Sequence, residues 1–321
     1  MKDVLLDVKN LKVQFSTYRG LVTAVDGINF TLYKGDTLGL IGETGCGKSV
    51  TALSILRLIE PPGKIVSGEI IFEGKDVLKM EEKELKELRG NKISMIFQDP
   101  MSSLDPVFTI GDQMIEKIRG VDKKTAKNKI IELLKNVELS DPESLISKYP
   151  HQLSGGMRQR IMIAMALSCN PLLLIADEPT TALDVTVQYQ ILKLMNRIKK
   201  VSSASMLFIT HDLGVAAQNC NRVVVMHAGK IVEMGDITRV FKKRAHPYTN
   251  GLLKALPHHA EDKNIRLEVI KGNIPSLINP PSGCRFHSRC PYVMDVCREK
   301  EPQIKKINRD HFVACHLYGG E

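Results

Sequence analysis

Residues Gly42-Glu43-Thr44-Gly45-Cys46-Gly47-Lys48-Ser49 follow the pattern G-x-x-x-x-G-K-[ST]. Glycines let a backbone curl until several N–H groups face one anion, and a helix that begins there adds the positive end of its dipole. Lys48 is placed to neutralise β- and γ-phosphate charge, and Ser49 offers a hydroxyl to Mg²⁺. The stretch from Gly42 to Val50 is therefore a candidate nucleotide site. A plain Gly-rich turn is the competing reading; a chance match in a chain this long is on the order of 1%. A second run, Leu172–Ala176, is apolar and ends on Asp177-Glu178. A buried strand delivers such carboxylates at its C-terminal end, where open parallel sheets bind ligands. Asp177 suits Mg²⁺ coordination, and Glu178, pointing elsewhere, suits proton abstraction from attacking water. Alone, this pair could equally be an acidic strand end capping a turn.

Elements that would position these groups are visible in the pattern. Residues 4–33 alternate apolar and polar around turn residues, which predicts a small antiparallel layer. Residues 37–41 read as a buried strand and 48–58 as a helix stopped by Pro61-Pro62-Gly63. Strands are expected at 69–72, 92–97, 172–176, 206–210 and twice within 222–233. Helices are expected through 110–148, at 155–167 and near 186–200. Strands alternating with helices predict an α/β core on a mainly parallel sheet. Texture changes near 240–250, where Pro becomes frequent, so the expected division is a nucleotide-binding domain at 1–245, its helical subdomain at about 100–170, and an extension at 246–321.

Composition narrows the partners. The chain has 321 residues and a formal net charge of +9, which leaves polyphosphate, nucleic acid or an anionic surface open. Trp is absent and aromatics are 5%, which argues against stacking on single-stranded nucleic acid. Residues 241–321 hold 14 Lys+Arg and 8 Asp+Glu, so most of the excess sits away from the phosphate loop. The N-terminal residues carry acidic groups and no long apolar run, so no secretory signal is expected, and the stretch 161–176 is too broken to span a bilayer.

Four of the seven cysteines crowd the C-terminus as Cys284-x₅-Cys290-x₆-Cys297-x₁₇-Cys315. No C-x-x-C pair occurs, which counts against zinc-ribbon geometries. Four thiolates at wider gaps, with Pro291 directly after a cysteine, suit a [4Fe–4S] cluster, with Zn²⁺ and unliganded or disulfide-paired thiols as alternatives. His287, His311 and His316 are candidates for a mixed site, and for each a solvated surface position competes.

Leu153-Ser154-Gly155-Gly156-Met157-Arg158-Gln159-Arg160 resembles the signature sequence of the ATP-binding cassette (ABC) family. Gln98 sits where that family has its Q-loop glutamine, Thr181-Ala-Leu-Asp184 looks like its D-loop, and His211 like its H-loop histidine. The resemblance covers about residues 4–240 with the motifs in family order. It implies ATP and Mg²⁺ as cofactors and a head-to-tail dimer, in which ATP on one subunit's phosphate loop is closed over by Ser154, Gly155 and Gly156 of the other. It implies that Gln98 senses Mg²⁺ and water, that His211 positions phosphate and water, and that an aromatic residue, Phe15 or else Tyr18, stacks on adenine. On residues alone, Ser154 also reads as a plain helix cap and Phe15 as core.

Further on, His246-Pro-Tyr-Thr249, Leu252–Pro257, Gly272–Ser276 and Pro280–Pro291 resemble the C-terminal region of dipeptide/oligopeptide importer ATPases. The closest type is their D subunit, which pairs with a homologous F subunit; intact motifs also permit a homodimer. The resemblance implies an ATP-hydrolysing subunit on the cytoplasmic face of the cell membrane, working with two transmembrane permease subunits and, indirectly, an extracytoplasmic solute-binding protein, with no nucleic acid. Nickel or another small solute is the alternative cargo. Non-transport relatives in DNA repair need a long coiled coil, and only 54 residues separate Gln98 from Leu153; translation-associated relatives normally carry two cassettes.

Overall fold

Runs of uninterrupted apolar residues make the strands on which the phosphate loop and the carboxylates are mounted. The computed structural model describes residues 3–99, 103–118, 120–181, 183–201, 204–255 and 270–319. In chain order β1 (Val4–Thr17), β2 (Gly20–Tyr33), β3 (Thr37–Ile41), α1 (Lys48–Ile55), β4 (Gly63–Phe72) and β5 (Lys75–Asp76) come first. Next are α2 (Glu82–Leu88), β6 (Ile93–Ile96), α3 (Ile110–Lys117), α4 (Lys123–Asn136), α5 (Pro142–Leu145), α6 (Gly155–Leu167), β7 (Leu173–Asp177), α7 (Val185–Val201) and β8 (Ser205–Thr210). The remainder is α8 (Leu213–Asn219), β9 (Arg222–His227), β10 (Lys230–Asp236), α9 (Ile237–Lys243), α10 (Pro247–Lys254), α11 (Val296–Glu299), β11 (Lys305–Asn308) and β12 (His311–Val313). Two compact units divide the chain: Met1–Met80 with Phe208–Glu321, and Glu81–Leu207.

In the first unit, β2, β1, β4 and β5 form the expected antiparallel layer in that order. In β1, Leu6 and Val8 and then Leu11 and Val13 are buried, a period of two on either side of the register shift between Val8 and Leu11. All five residues of β3 are buried, and it pairs in parallel with β9 from Leu38↔Arg222 to Ile41↔Val225. Continuous burial is the mark of a strand covered on both faces. Helix α1 ends at Ile55, three residues before the expected stop, because Arg57 turns left-handed at φ 52° and Leu58 N–H bonds back to Leu53 O.

Beyond β9 the sheet in this unit turns antiparallel, while the pair β3–β9 is parallel as expected of the core. Strands β9 and β10 run antiparallel, and β12 and β11 extend the same edge antiparallel. Neither of these last two strands is expected from the sequence, since each has at most four residues and little alternation. The joint is polar and buried. The Glu233 carboxylate on β10 accepts from the N–H groups of Ala245 and His246, 2.9 Å each, and hydrogen-bonds His311 Nε2 on β12 at 2.7 Å.

In the second unit β6 and β7 pair in parallel from Ile93↔Leu173 to Ile96↔Ala176. Within 110–148, expected to be mostly helical, lie α3, α4 and α5. In α4, Ala126, Ile130 and Leu134 are buried at a spacing of four, and Asp122 caps its first turn by accepting from Lys124 and Thr125 N–H. Helix α6 has the expected bounds, Gly155–Leu167. Among the described residues no helix is long and apolar enough to cross a membrane.

Because three donors converge on one fully buried carboxylate, Glu233→Ala is expected to cost about 3 kcal/mol. Urea unfolding of the variant against the parent measures this; equal midpoints would mean that the carboxylate does not tie β12 to β10.

Candidate functional site

The phosphate loop leaves β3 and enters α1. Gly42, at φ 155°, has no room for a side chain: a Cβ would stand 2.2 Å from Met226 O and 2.7 Å from Cys46 Sγ. At Gly47, φ 108°, a Cβ would stand 2.5 Å from Ala24 O. The curl of the loop is thus pressed against its neighbours at both ends, and only glycine satisfies φ and space together. Between them Thr44 and Gly45 are exposed, Glu43 half-buried and Cys46 buried. Gly229 N–H donates to Cys46 O at 3.0 Å, which fastens the loop to the β9–β10 turn.

Lys48 is 4% exposed. Its ammonium donates to the loop's own carbonyls, Gly42 O at 2.8 Å and Glu43 O at 3.1 Å. A buried cation held by carbonyl dipoles at a helix N-terminus suits an incoming polyphosphate. Ser49 and Val50 follow in the first turn of α1, half-buried. The loop, its glycines and this lysine fit ATP with Mg²⁺. Cys46 is no competing nucleophile, since burial pushes its thiol up to about 11.

In the other unit Asp177 closes β7, 4% exposed. Glu178 follows with φ 44°, a left-handed backbone that only a few per cent of non-glycine residues adopt. Its Oε2 accepts from Gln98 Nε2 at 3.3 Å and from Thr181 Oγ1 at 3.0 Å. Gln98 and Glu178, 80 positions apart, are therefore brought together. Ser154 caps α6 by accepting from Met157 N–H at 3.3 Å, so the plain-cap reading of this serine holds locally. A Cβ on Gly156 would stand 2.8 Å from Val187 Cγ1, so this glycine lets α7 approach α6. Asp184 accepts from Val187 N–H at 3.0 Å; Ala182 and Pro100, parts of the same sequence motifs, lie outside the described residues.

His211 follows β8 and is exposed. Phe15 is half-buried, its ring 2.5 Å from where a Cβ on Gly63 would be. Tyr18 is 90% exposed at the β1–β2 turn with Arg19 over its ring.

What sequence reasoning missed is a polar and aromatic cluster on the loop. Arg289 donates to both oxygens of the Glu43 carboxylate, Nη1 to Oε2 at 2.7 Å and Nη2 to Oε1 at 2.8 Å. Burial would raise the Glu43 pKa, and Arg289's hydrogen bonds and charge overcome it, so the carboxyl stays below its usual range. Glu43 N–H donates to Tyr248 Oη at 2.9 Å. Tyr248, His227, Phe286 and His246 pack ring to ring at 4.5–5.7 Å. Burial, then the charge of Arg289, holds His227 down at about 4; burial holds His246 at about 3. The available signal was two arginines and an aromatic residue closed between Cys284 and Cys290.

The C-terminal cysteines gather. Burial lifts Cys284 to about 11, and Cys315, Cys297 and Cys290 add to that rise. Cys290 and Cys315 are raised by burial and by neighbouring thiols as well. All four are free thiols, so the disulfide alternative is not what forms. The expected iron–sulfur or zinc site is not borne out either: among the described residues no group of three or more His, Cys, Asp or Glu side chains is placed to hold a metal ion. The three histidines are engaged elsewhere: His287 with Cys284 O, His311 with Glu233 and His316 with Lys300 O.

The profile of the family described as ABC transporter matches residues 25–181, and that of the oligopeptide/dipeptide transporter C-terminal region matches residues 232–297. The chain is 50% identical over 98% of its length to a probable peptide ABC transporter ATP-binding protein of Sinorhizobium fredii, covering 95% of it. It is 50% identical over 98% of its length to the oligopeptide transport ATP-binding protein OppD of Bacillus subtilis, covering 88%. Identity to the dipeptide transport ATP-binding protein DppD of Escherichia coli is 44% over 97% of this chain and 96% of that protein. Among solved structures, the dimeric ATP-binding cassette MJ0796 bound to ADP and Pi superposes with TM-score 0.65 at 26% identity, over 72% of this chain and 98% of that one.

A histidine held below its unfolded pKa is protonated first in the unfolded chain, so its contribution to stability is complete above about pH 6.5 and is lost as pH falls. Stability is therefore expected to decline from pH 6.5 towards about 4 for His227 and about 3 for His246. Urea midpoints across this range measure the slope, and His227→Gln should flatten it.

Proposed function

The chain belongs to the ABC transporter ATP-binding proteins, in their oligopeptide/dipeptide branch, and from that membership we propose that it is the ATP-hydrolysing subunit that powers import of dipeptides or oligopeptides across the cytoplasmic membrane. The observation that carries hydrolysis is the oriented Glu178 carboxylate, fixed by Gln98 and Thr181 at the end of a buried strand. The peptide cargo is supported by the similarity of residues 232–297 to the oligopeptide/dipeptide C-terminal region; nothing observed favours nickel or a non-transport role.

Residues Gly42–Val50 would hold the phosphates, and Lys48 would exchange its bonds to Gly42 and Glu43 carbonyls for phosphate oxygens. Ser49, Gln98 and Asp177 would hold Mg²⁺, which when bound supplies charge neutralisation on the phosphates. Glu178 takes or polarises the proton of the attacking water, and His211 positions water and phosphate. Phe15 is the proposed adenine platform, with Tyr18 the more exposed alternative. Ser154, Gly155 and Gly156 close over a nucleotide held by a second ATPase subunit, a homologous F-type chain or another copy, in a head-to-tail dimer. That pair works at the cytoplasmic face with two permease subunits, and an extracytoplasmic solute-binding protein presents the peptide.

The iron–sulfur or zinc site expected from the spacing of the four C-terminal cysteines is no part of this proposal, because the arrangement among the described residues does not fit one. No catalytic step runs through it. Protein purified anaerobically settles the point: brown colour with iron and sulfide carries the cluster, colourless protein with zinc the alternative, and metal-free protein neither.

Glu178→Gln is expected to bind ATP like the parent while losing about 10²–10⁴-fold in turnover. Single-turnover hydrolysis at saturating ATP reads this directly; a parental rate would remove Glu178 from the reaction.

A further inference from the structure

Glu43 is gripped at three points: its carboxylate by Arg289, its N–H by Tyr248 Oη, and its carbonyl by Lys48. Two of those partners come from the C-terminal part of the chain and the third is the phosphate-binding lysine. Arg289 is 3% exposed, and a bidentate guanidinium–carboxylate pair of this kind fixes direction as well as distance. Four residues earlier, Arg285 donates to Ala228 O and to the Asp26 carboxylate. Asp26 N–H donates to Gly229 O, and Gly229 N–H donates to Cys46 O, inside the phosphate loop. Phe286, 2% exposed, lies between the two arginines in sequence and packs its ring on His227 and Tyr248. The segment from Cys284 to Cys290 therefore reaches the phosphate loop twice, once at Glu43 and once through the turn that holds Cys46.

We propose that this segment is a positioning device for the phosphate loop, in which Arg289, through Glu43, holds the loop in its phosphate-receiving shape and couples nucleotide affinity to the fold of the C-terminal segment. The inference rests on the loop being the ATP site. Neither arginine touches nucleotide in this scheme; both act through loop residues. Loss of the clamp frees Glu43 to turn, and the carbonyls that hold the Lys48 ammonium turn with it. The coupling is reciprocal: ATP on the loop must stabilise residues 284–290 as much as that segment favours ATP.

The test is ATP affinity of the full-length chain by titration calorimetry, for the parent, Arg289→Ala, Arg289→Lys, Glu43→Gln and the Arg289→Ala/Glu43→Gln double variant. Each single removal is expected to weaken ATP on the order of tenfold, with the double variant no weaker than either single. Arg289→Lys, which keeps charge but loses the fork, should fall between parent and Arg289→Ala. In hydrolysis the loss should appear in KM for ATP more than in kcat. On the reciprocal side, ATP should slow hydrogen exchange at 284–290 in the parent, and by less in Arg289→Lys. Parental affinity in Arg289→Ala, or losses that simply add in the double variant, would overturn the proposal. If Arg289→Ala does not fold, Glu43→Gln and Arg289→Lys decide it on the same criterion. Lys48→Ala separates the two readings. Unchanged ATP affinity there removes the nucleotide site itself; weakened affinity there, with Arg289 variants at parental values, removes only the coupling.

Discussion

A buried ammonium group governs the architecture around the phosphate loop. Lys48 sits at the head of α1 almost without solvent, and a charge in that position is tolerable only if dipoles surround it. The carbonyls of Gly42 and Glu43 supply them. They can do so because Gly42 and Gly47 turn the backbone at φ values and in spaces that exclude a side chain. Much of what packs around the loop serves this arrangement. The buried strand β3 delivers Gly42, β9 runs parallel beside it, and the β9–β10 turn fastens Cys46. The same arrangement makes a polyphosphate welcome, since it offers the lysine a stronger partner than two carbonyls.

The chain's basic excess takes on a different meaning once its arginines are located. Most of it lies in residues 241–321, where an outward-facing patch would suggest an acidic partner. Arg285 and Arg289 instead turn inward to Asp26 and Glu43. Their charge is spent within the fold, on carboxylates that belong to the nucleotide-binding part of the sequence. Arg285 loses some basicity to burial, and Arg289 gains some from Glu43, as befits a partly desolvated pair and a bidentate one. A net charge read from composition counts such groups as surface when they are joints.

Local chemistry was legible in the sequence and long-range contact was not. The bounds of β3 and α6 follow from apolar runs and from a serine cap, each set by neighbours a few residues away. The phosphate loop was legible because its spacing is itself the mechanism. Strands β11 and β12 were not, because four residues or fewer carry too little alternation to mark a strand, and their stability comes from pairing with β10 and from Glu233 beneath. The Arg289–Glu43 pair spans 246 positions, and no periodicity links its two members. The gathered cysteines lie between these cases. Their convergence could be expected from crowding, whereas the rise in the Cys284 pKa depends on burial that only packing decides.

The acidic strand end shows how one element can aim two neighbouring carboxylates differently. Asp177 and Glu178 are consecutive, and successive side chains of an extended strand point to opposite faces. Continuing the strand would send the second carboxylate to the far side of the sheet. The left-handed turn at Glu178 instead breaks the strand at that residue, and φ 44° is a conformation a glutamate adopts only when its surroundings compel it. Beyond that turn, Gln98 and Thr181 both donate to Oε2 and so oppose rotation of the carboxylate. The resulting carboxylate is held in one orientation, which is what the role proposed for it as a proton acceptor would require. Gln98 lies just beyond the end of β6, and β6 runs parallel to β7. Register in that strand pair is therefore what places the amide at the carboxylate, and the site's chemistry reduces to a matter of strand alignment.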